Sequence, residues 1–282
     1  MRIASPCIDT CTPIVALAIN PRAQALAILC LDDPVSKAAQ TRALFAALDP
    51  DTIDPHTQLD APDALPGRPA LPRLVAPKDV PRRSPASDEG RAALLHAVTH
   101  IEFNAINLAL DAVWRFADMP VAFYSDWLSV ASEEALHFTL LREHLLAQGF
   151  DYGHFDAHDG LWLMAQRTAG DVTARMALVP RTLEARGLDA TPPMQARLRQ
   201  AGDERAAQIL GVILRDEVGH VAIGNRWYRW LCERDGLEPV AHYALLAEQH
   251  IAPRLHPPFN IEARRAAGFT EAELDLLAGT SS

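Results

Sequence analysis

From Ser87 onward, apolar residues recur at intervals of three and four, the spacing that places them on one face of a helix. Four long helices are predicted, from Ser87 to about Ala117, from Pro120 to Gly149, from Asp171 to about Arg186, and from about Asp203 to Asp235. Ser87 is a good N-cap, and glycines 149, 187 and 236 are expected to end the other three helices. Shorter helices are predicted in "LWLMAQRT" and around residues 239–250 and 270–278. Because the sequence lacks the alternating runs of strands, the predicted fold class is all-α.

The chain before Ser87 has a different pattern. Residues 14–48 are rich in alanine and leucine and are predicted to be helical, with Ser36 as an N-cap. Residues 49–86 contain nine prolines, a density incompatible with the interior of a helix or sheet, so this segment is predicted to be extended. Leucines within it, such as Leu65, Leu71 and Leu74, favour a strap lying on the core over a free linker.

The predicted elements divide the chain into three parts. Residues 1–86 form a helical and proline-rich extension, residues 87–236 an antiparallel four-helix bundle, and residues 237–282 short helices that pack on the bundle. The short connection between the first two long helices favours their antiparallel packing.

A glutamate interrupts the apolar stripe of each long helix. Glu102 shares its stripe with Leu95 and Ile106, and Glu134 lines up with Phe138. The other two interruptions are Glu184, at the end of an apolar run, and Glu217, between Ile213 and Val221. In the second and fourth helices a histidine follows three residues later, at His137 and His220.

This arrangement repeats within the chain, because Glu102 precedes Glu134 by 32 residues and Glu184 precedes Glu217 by 33. Residues three apart on a helix share a face, so the Glu and His of each pair can reach one ion. A buried, unpaired carboxylate costs several kcal/mol unless it is neutralised, paired or bound to metal. Arg181 is the only cation on these stripes, which weakens the ion-pair explanation.

Carboxylate and imidazole ligands suit iron and manganese, and bridging carboxylates allow two cations to sit close together. The sequence therefore predicts a dinuclear site formed by Glu102, Glu134, His137, Glu184, Glu217 and His220. Iron is the favoured metal, with manganese or a mixed pair as the alternatives. Two further acids are expected to orient the histidines from across the bundle: Asp216 would hold His137 and Glu133 would hold His220.

Composition narrows the choice of partners. The chain has 282 residues and a net charge of −10, which disfavours binding to nucleic acid or anionic membranes. No apolar run approaches the ~20 residues of a membrane span, and the N-terminus is not a convincing secretory signal. The four cysteines lack metal-ligand spacing and are interpreted as reduced thiols of a cytoplasmic protein. A homodimer stays open at this stage.

At these residues the chain resembles the ferritin-like superfamily with a di-iron carboxylate site; "DEVGH" is similar to the Asp-Glu-x-x-His of ribonucleotide reductase small subunits. It resembles more closely the bacterial domain of unknown function 455 family, through "LLHAVTHIEFNAINLALD", "DWLSVASEEALHF", "YGHFDAHDGLW", "VPRTLEARGLDATP", "DEVGHVAIGNRWY" and "PPFNIEARRAAGF". The resemblance covers most of residues 68–269 and implies the fold and the ligand set, but no agreed reaction. Small storage ferritins generally carry one Glu-x-x-His per chain, whereas this chain carries two.

Three functions follow as hypotheses. The favoured one is an oxidoreductase that uses O2 and an external electron donor to oxidise or hydroxylate a small organic substrate. The alternative is metal handling, by Fe(II) oxidation or Mn binding without an organic substrate. The third is modification of a macromolecule, by analogy with the ferritin-like hydroxylase that acts on transfer RNA, which the acidic charge disfavours. A purely structural metal site is also left open.

Other residues near the predicted site have less specific interpretations. Aromatic residues on the bundle helices, Tyr124, Trp227 and Tyr228, are candidates for an electron relay but are more typical of a core. His96 and His100 share a face that differs from that of Glu102, which predicts surface groups or groups behind the ligands. His158 is expected to cap a helix or line the site entrance. Pro180 should bend the third helix near the metals.

Overall fold

The computed structural model describes residues 20–60, 62, 64–81 and 83–279. Within these ranges the chain is all-helical, as predicted, and forms no strand beyond an isolated bridge between Leu74 and Ala157. The helices are α1 (Pro21–Leu29), α2 (Pro34–Ala46), α3 (Asp88–Arg115), α4 (Val121–Ala147), α5 (Gly160–Arg167), α6 (Val172–Leu178), α7 (Ala185–Gln200), α8 (Glu204–Asp235), α9 (Pro239–Gln249), α10 (Ile261–Ala266) and α11 (Glu271–Ala278). A π-helical turn, Val179–Glu184, joins α6 to α7.

Several predicted helix ends are confirmed. The side chain of Ser87 accepts a hydrogen bond from the amide of Gly90 and caps α3, and Asp203 caps α8 in the same way. Gly236 ends α8 with a φ of 67°, a left-handed conformation that glycine adopts without a steric penalty. Gly149 follows the end of α4 with a φ of 83°.

Two predictions about helix boundaries are wrong. Gly187 does not end the third helix, which continues through Pro192 and Pro193 to Gln200. Pro192 has no N–H for the carbonyl of Leu188, and the side-chain amide of Asn260 donates to that carbonyl instead, at 3.2 Å. Ser36 is not the N-cap of α2 either, because Asp33 accepts its amide N–H at 2.7 Å and caps the helix from three residues earlier.

Long helices that follow each other in the chain pack against each other. A short connection reverses the chain between α3 and α4, which pack along each other, and α7 packs along α8. Helix α4 also contacts α8, and α6 and the π turn contact α8 as well. The two Glu-x-x-His helices, α4 and α8, are therefore direct neighbours in the core.

The N-terminal segment packs on this core, with α1 against α3 and α2 against α4. Two fully buried cations join it to the rest of the chain. Arg22 donates to the backbone carbonyls of Val113 and Trp114 at the end of α3. Lys37 donates to the carbonyls of Leu29 and Gly67 and to Asn107 Oδ1, at 2.7–3.0 Å.

The proline-rich segment lies on the core at Leu65, whereas Leu71 and Leu74 are exposed, so only part of the strap prediction agrees with the structure. The part of the residue range 14–48 before Asn20 lies outside the described residues.

No helix in the described ranges combines the length and the apolar character that a bilayer crossing requires. The division of the chain into three parts at residues 86 and 236 stays a prediction.

His96 and His100 are buried, which corrects the prediction of surface groups. The ring Nε2 of His96 accepts the amide of Gly153 at 2.9 Å, and His100 Nδ1 lies 2.8 Å from the hydroxyl of Tyr152. Burial lowers the pKa of His96 to about 4 and that of His100 to about 3. Both imidazoles are therefore neutral in the folded protein at pH 7.

Their burial predicts a loss of stability in mild acid. The pKa in the folded state lies below the unfolded value of about 6.5, so the unfolded chain binds protons first as the pH falls. Stability from His96 is complete above pH 6.5 and is lost towards pH 4, with a cost of roughly 3 kcal/mol. Denaturant unfolding of the metal-free protein at pH 7.5, 5.5 and 4.5 measures this slope. His96→Gln should flatten the slope, and an unchanged slope in this variant would contradict the prediction.

Candidate metal centre

The six predicted ligands come from four helical elements that meet in the core. Glu102 lies on α3, Glu134 and His137 on α4, Glu184 at the end of the π turn, and Glu217 and His220 on α8. The five predicted ligands on α3, α4 and α8 are each at most 6% exposed. The helical stripes thus carry these polar groups into the apolar interior, as the sequence pattern indicates.

Glu134 lies between the two histidines. Its Oε2 is 3.3 Å from Nδ1 of His137, and its Oε1 is 2.9 Å from Nδ1 of His220. Each histidine also has a second carboxylate neighbour: Glu102 Oε2 lies 3.2 Å from Nδ1 of His137, and Glu217 Oε1 lies 3.6 Å from Nδ1 of His220. The two rings are 5.8 Å apart between centroids. One carboxylate therefore faces two imidazole nitrogens, with one oxygen towards each.

The structure brings five of the six residues together. Ligand atoms of Glu102, Glu134, His137 and Glu217 lie within 4.8 Å of one another, and this buried cluster could hold a metal ion. His220 joins it through the contacts above. Glu184 is outside the group of four, although the charges of Glu217 and Glu134 act on it electrostatically. The Glu184 carboxylate therefore lies outside that group.

Three buried polar atoms of the cluster, Glu134 Oε1, Glu217 Oε2 and His220 Nδ1, and one of the neighbouring Glu184, Oε2, have no hydrogen-bond partner. The 2.9 Å approach of Glu134 to His220 is not aligned for a hydrogen bond, although the distance is short. Buried polar atoms are nearly always satisfied, so four orphans at one place require an explanation. Their chemistry fits metal ions, since all four can act as ligand atoms, and four carboxylates balance the charge of two divalent cations.

Burial and neighbouring charges set the pKa values of the cluster. Burial, with neighbouring carboxylates, raises the pKa of Glu102 and of Glu184 well above the usual range. Burial acts in the same direction on Glu134, but the charge of His220 and the hydrogen bond from His137 lower its pKa overall. Burial opposes the charged form of His137, yet its carboxylate neighbours raise its pKa to about 11. Protons thus compensate the carboxylates when no metal is bound, and metal binding must release them.

The outer nitrogens of the histidines face two further carboxylates. His137 Nε2 lies 3.1 Å from Asp216 Oδ2, and His220 Nε2 lies 2.7 Å from Glu133 Oε2. These contacts are the ones expected from the sequence. Asp216 is also held by Arg215, whereas the Glu133 side chain is 46% exposed. If each Nε2 donates its proton outward, the Nδ1 lone pairs point into the cluster.

The cations nearest to Glu184 are bound elsewhere. Arg181, the one cation that the sequence places on a ligand stripe, pairs with Glu273 and donates to Asn225. Arg175 is fully buried on α6 and pairs with Asp111 of α3. No salt bridge to Glu184 is present among the described residues. Glu184 therefore has no Arg or Lys partner that would explain its carboxylate, whereas the other carboxylates face the two histidines.

Pro180 lies within the π turn, near the centre as predicted. A Cβ at Gly224 of α8 would come within 2.6 Å of the Pro180 ring, so a side chain at this position would displace the turn from α8. A π turn closes i to i+5 hydrogen bonds and inserts one residue into the helix, and such turns are frequent at functional sites. Glu184 is its last residue.

Glu273 and Tyr243 contact this turn, and no motif in the sequence indicates either contact. Both come from helices that are short and distant in the chain, so no local pattern connects them with Glu184.

The aromatic candidates have backbone or carboxylate partners: Tyr124 donates to the carbonyl of Phe116 at 2.9 Å, Tyr228 to that of Pro239 at 2.6 Å, and Trp227 to Asp126. His158 is exposed, and its Nδ1 accepts the amide of Gly160 at the start of α5. An electron-relay role stays a prediction.

Comparison with known proteins gives two matches. A profile of the family described as "Protein of unknown function (DUF455)" matches residues 30–275. A protein of Haemophilus influenzae described as "Uncharacterized protein" is 51% identical over 243 residues, which cover 80% of this chain and 84% of the relative. No solved structure matches the chain.

Proposed function

The chain belongs to the DUF455 family, and we propose that it is a ferritin-like four-helix bundle whose dinuclear metal centre serves an oxidoreductase. One observation carries the proposal. The two oxygens of the buried Glu134 face the inner nitrogens of two histidines from neighbouring helices, and these groups are supported by further carboxylates. Bundle proteins hold metal pairs with this kind of ligand set, one Glu from each of two helices and Glu-x-x-His from the other two.

The ligands divide into two half-sites. Glu102 and His137 would hold one ion, and Glu184 and His220 the other, with Glu134 and Glu217 shared between them. Iron is the metal that we favour, since the ligands are carboxylate and imidazole and two divalent ions match four carboxylates in charge. When bound, such a pair supplies one-electron chemistry and activation of O2.

The protein's own contribution is to orient and to deprotonate the ligands. Asp216 and Glu133 accept the outer N–H groups of His137 and His220, which fixes the tautomer that leaves Nδ1 free to bind a cation. The surrounding apolar core shields five of the ligands from water, because the residues on α3, α4 and α8 are almost fully buried, whereas Glu184 is half-buried. We propose a small organic molecule as the substrate and an external electron donor.

A metal-handling role without an organic substrate is the second candidate. Three cavities in the described part of the chain, of about 340, 260 and 230 Å³, are lined by residues other than the six ligands. The carboxylates of Glu133 and Asp216, which contact the outer histidine nitrogens, are partly exposed, so they place acidic groups at the surface near the centre, where cations would be attracted. Fe(II) oxidation would need such a route and no organic pocket.

An anaerobic Fe(II) titration followed by exposure to O2 tests both candidates. We expect saturation at two Fe per chain and, after O2 is added, a transient visible absorption with O2 consumption. Turnover with excess Fe(II) alone would favour metal handling, whereas a reaction limited to the bound pair would favour the oxidase. Binding of two metals without any O2 reaction would contradict the redox proposal and leave a structural or manganese site. Saturation below two metals would contradict the dinuclear site itself.

A further inference from the structure

Arg181, in the middle of the π turn, is enclosed on every side. Its side chain is 4% exposed, Nη2 pairs with Glu273 of α11, and Nε donates to Asn225 Oδ1 of α8 at 2.8 Å. Its guanidinium also lies over three aromatic rings, those of Tyr228, Tyr243 and Phe269, at 4.9, 4.9 and 5.1 Å from the ring centroids. A charge buried so completely and matched by one carboxylate fixes the local backbone strongly.

The neighbouring residues of the turn are held as well. Thr182 Oγ1 donates to the carbonyl of Ala177, five residues earlier, at 2.8 Å and lies 2.9 Å from the hydroxyl of Tyr243 on α9. Pro180 packs against Gly224 without room for a side chain. The π turn is thus tied to α8, α9 and α11, which come from the last quarter of the chain.

The direction of Glu184 depends on this turn. An α-helix rotates by about 100° per residue, so reversion of the π turn to regular helix would turn Glu184 by roughly that angle relative to α6. The carboxylate would then leave the core face on which Glu134 and Glu217 lie. Pro180 already disfavours regular helix in this segment, and the contacts of Arg181 favour the π turn over a simple bend.

We propose that Arg181, held by Glu273, is a positioning residue that maintains the π turn and so aims Glu184 at the metal centre. The C-terminal helix α11 thereby controls occupation of one of the two metal positions. This inference rests on the proposed dinuclear site, and it predicts a selective defect. Loss of the Arg181–Glu273 pair should weaken the half-site of Glu184 and His220 and spare that of Glu102 and His137.

Glu273→Gln is the test, because glutamine preserves the shape and the cap on the amide of Thr270 but removes the charge facing Arg181. Glu271→Gln is a matched control on the same helix, where the pair with Arg265 is solvent-exposed. Anaerobic Fe(II) binding is measured by equilibrium dialysis with metal analysis. We expect the weaker of the two dissociation constants to rise about tenfold or more in Glu273→Gln, with the tighter one unchanged, and no change in Glu271→Gln.

A second pair of variants separates positioning from folding. Arg181→Met should show the same selective loss, and Arg181→Lys, which keeps a positive charge near Glu273, should restore part of the second binding event. Thermal unfolding of each variant confirms that the protein is folded at the titration temperature. Equal weakening of both metals, or unchanged binding of both in Glu273→Gln and Arg181→Met, would overturn the inference. If the unaltered protein does not bind two metals, the dinuclear site fails first, which is a different result.

Discussion

Glu134→Gln is expected to abolish binding of both metal ions. Each carboxylate oxygen of Glu134 faces the inner nitrogen of one histidine, so the residue belongs to both half-sites. Glutamine has the same shape, but an NH2 group that cannot bind a cation replaces one carboxylate oxygen. Its side chain also carries no charge. We expect both dissociation constants to rise about 100-fold or more, a loss at the upper end of effects known for groups that support metal ligands.

The measurement is the anaerobic Fe(II) titration, with circular dichroism to show that helix content is retained. Glu143→Gln is the control, since Glu143 is an exposed residue of the same helix. Glu102→Gln should weaken one metal only, because Glu102 contacts only His137 of the two histidines. Retention of two metals with normal affinity in Glu134→Gln would show that the carboxylate does not bridge, and the half-site assignment would have to be withdrawn.

A second readout does not depend on metal. The charge of Glu134 helps to raise the pKa of both histidines, and its hydrogen bond with His137 adds to the effect on that residue. In Glu134→Gln the pKa of His137 and of His220 should fall, because burial then acts against the charged imidazole with less opposition. NMR titration of the metal-free variant tests this directly.

The buried cluster residues on α3, α4 and α8 could be identified from the sequence because they depart from the apolar pattern around them. A glutamate such as Glu217 in an apolar stripe is energetically unfavourable unless its charge is compensated. A histidine three residues later shares its helix face and indicates that a cation could compensate it. The contacts of Asp216 and Glu133 could be predicted for the same reason, since ligand histidines need a partner for the second nitrogen.

The π turn could not be predicted in the same way. Pro180 indicates a distortion, but whether a helix bends or inserts a residue depends on what packs against it. Here the decisive partners are Gly224 and Glu273, which lie 44 and 93 residues further along the chain than Pro180. The continuation of the helix through Gly187 and the two prolines has a similar cause, because Asn260 satisfies the carbonyl that Pro192 leaves free. Long-range contacts override local signals at both places.

Glu184→Leu should make the metal-free protein more stable and at the same time remove one metal. Glu184 is half-buried, but its Oε2 is shielded from solvent and has no hydrogen-bond partner. Desolvation, together with the charges of Glu217 and Glu134, raises its pKa well above the usual range. Leucine fills a similar volume without a polar group to desolvate. We expect a gain of about 1–3 kcal/mol in the free energy of unfolding at pH 7, from relief of an unsatisfied buried group.

The gain should depend on pH in a defined direction. Because the folded pKa of Glu184 is raised, the folded state binds a proton more tightly than the unfolded state, and Glu184 costs stability above its unfolded pKa of about 4.5. The advantage of Glu184→Leu should therefore be largest at neutral pH and shrink as the pH falls towards 4.5. Denaturant unfolding at several pH values measures it, with Glu233→Leu as the exposed control on α8. Replacement of a group that is retained for function at a cost in stability gives a variant that is more stable but binds less metal. A destabilised Glu184→Leu would instead show that the carboxylate supports the fold, and would favour a structural role for the centre.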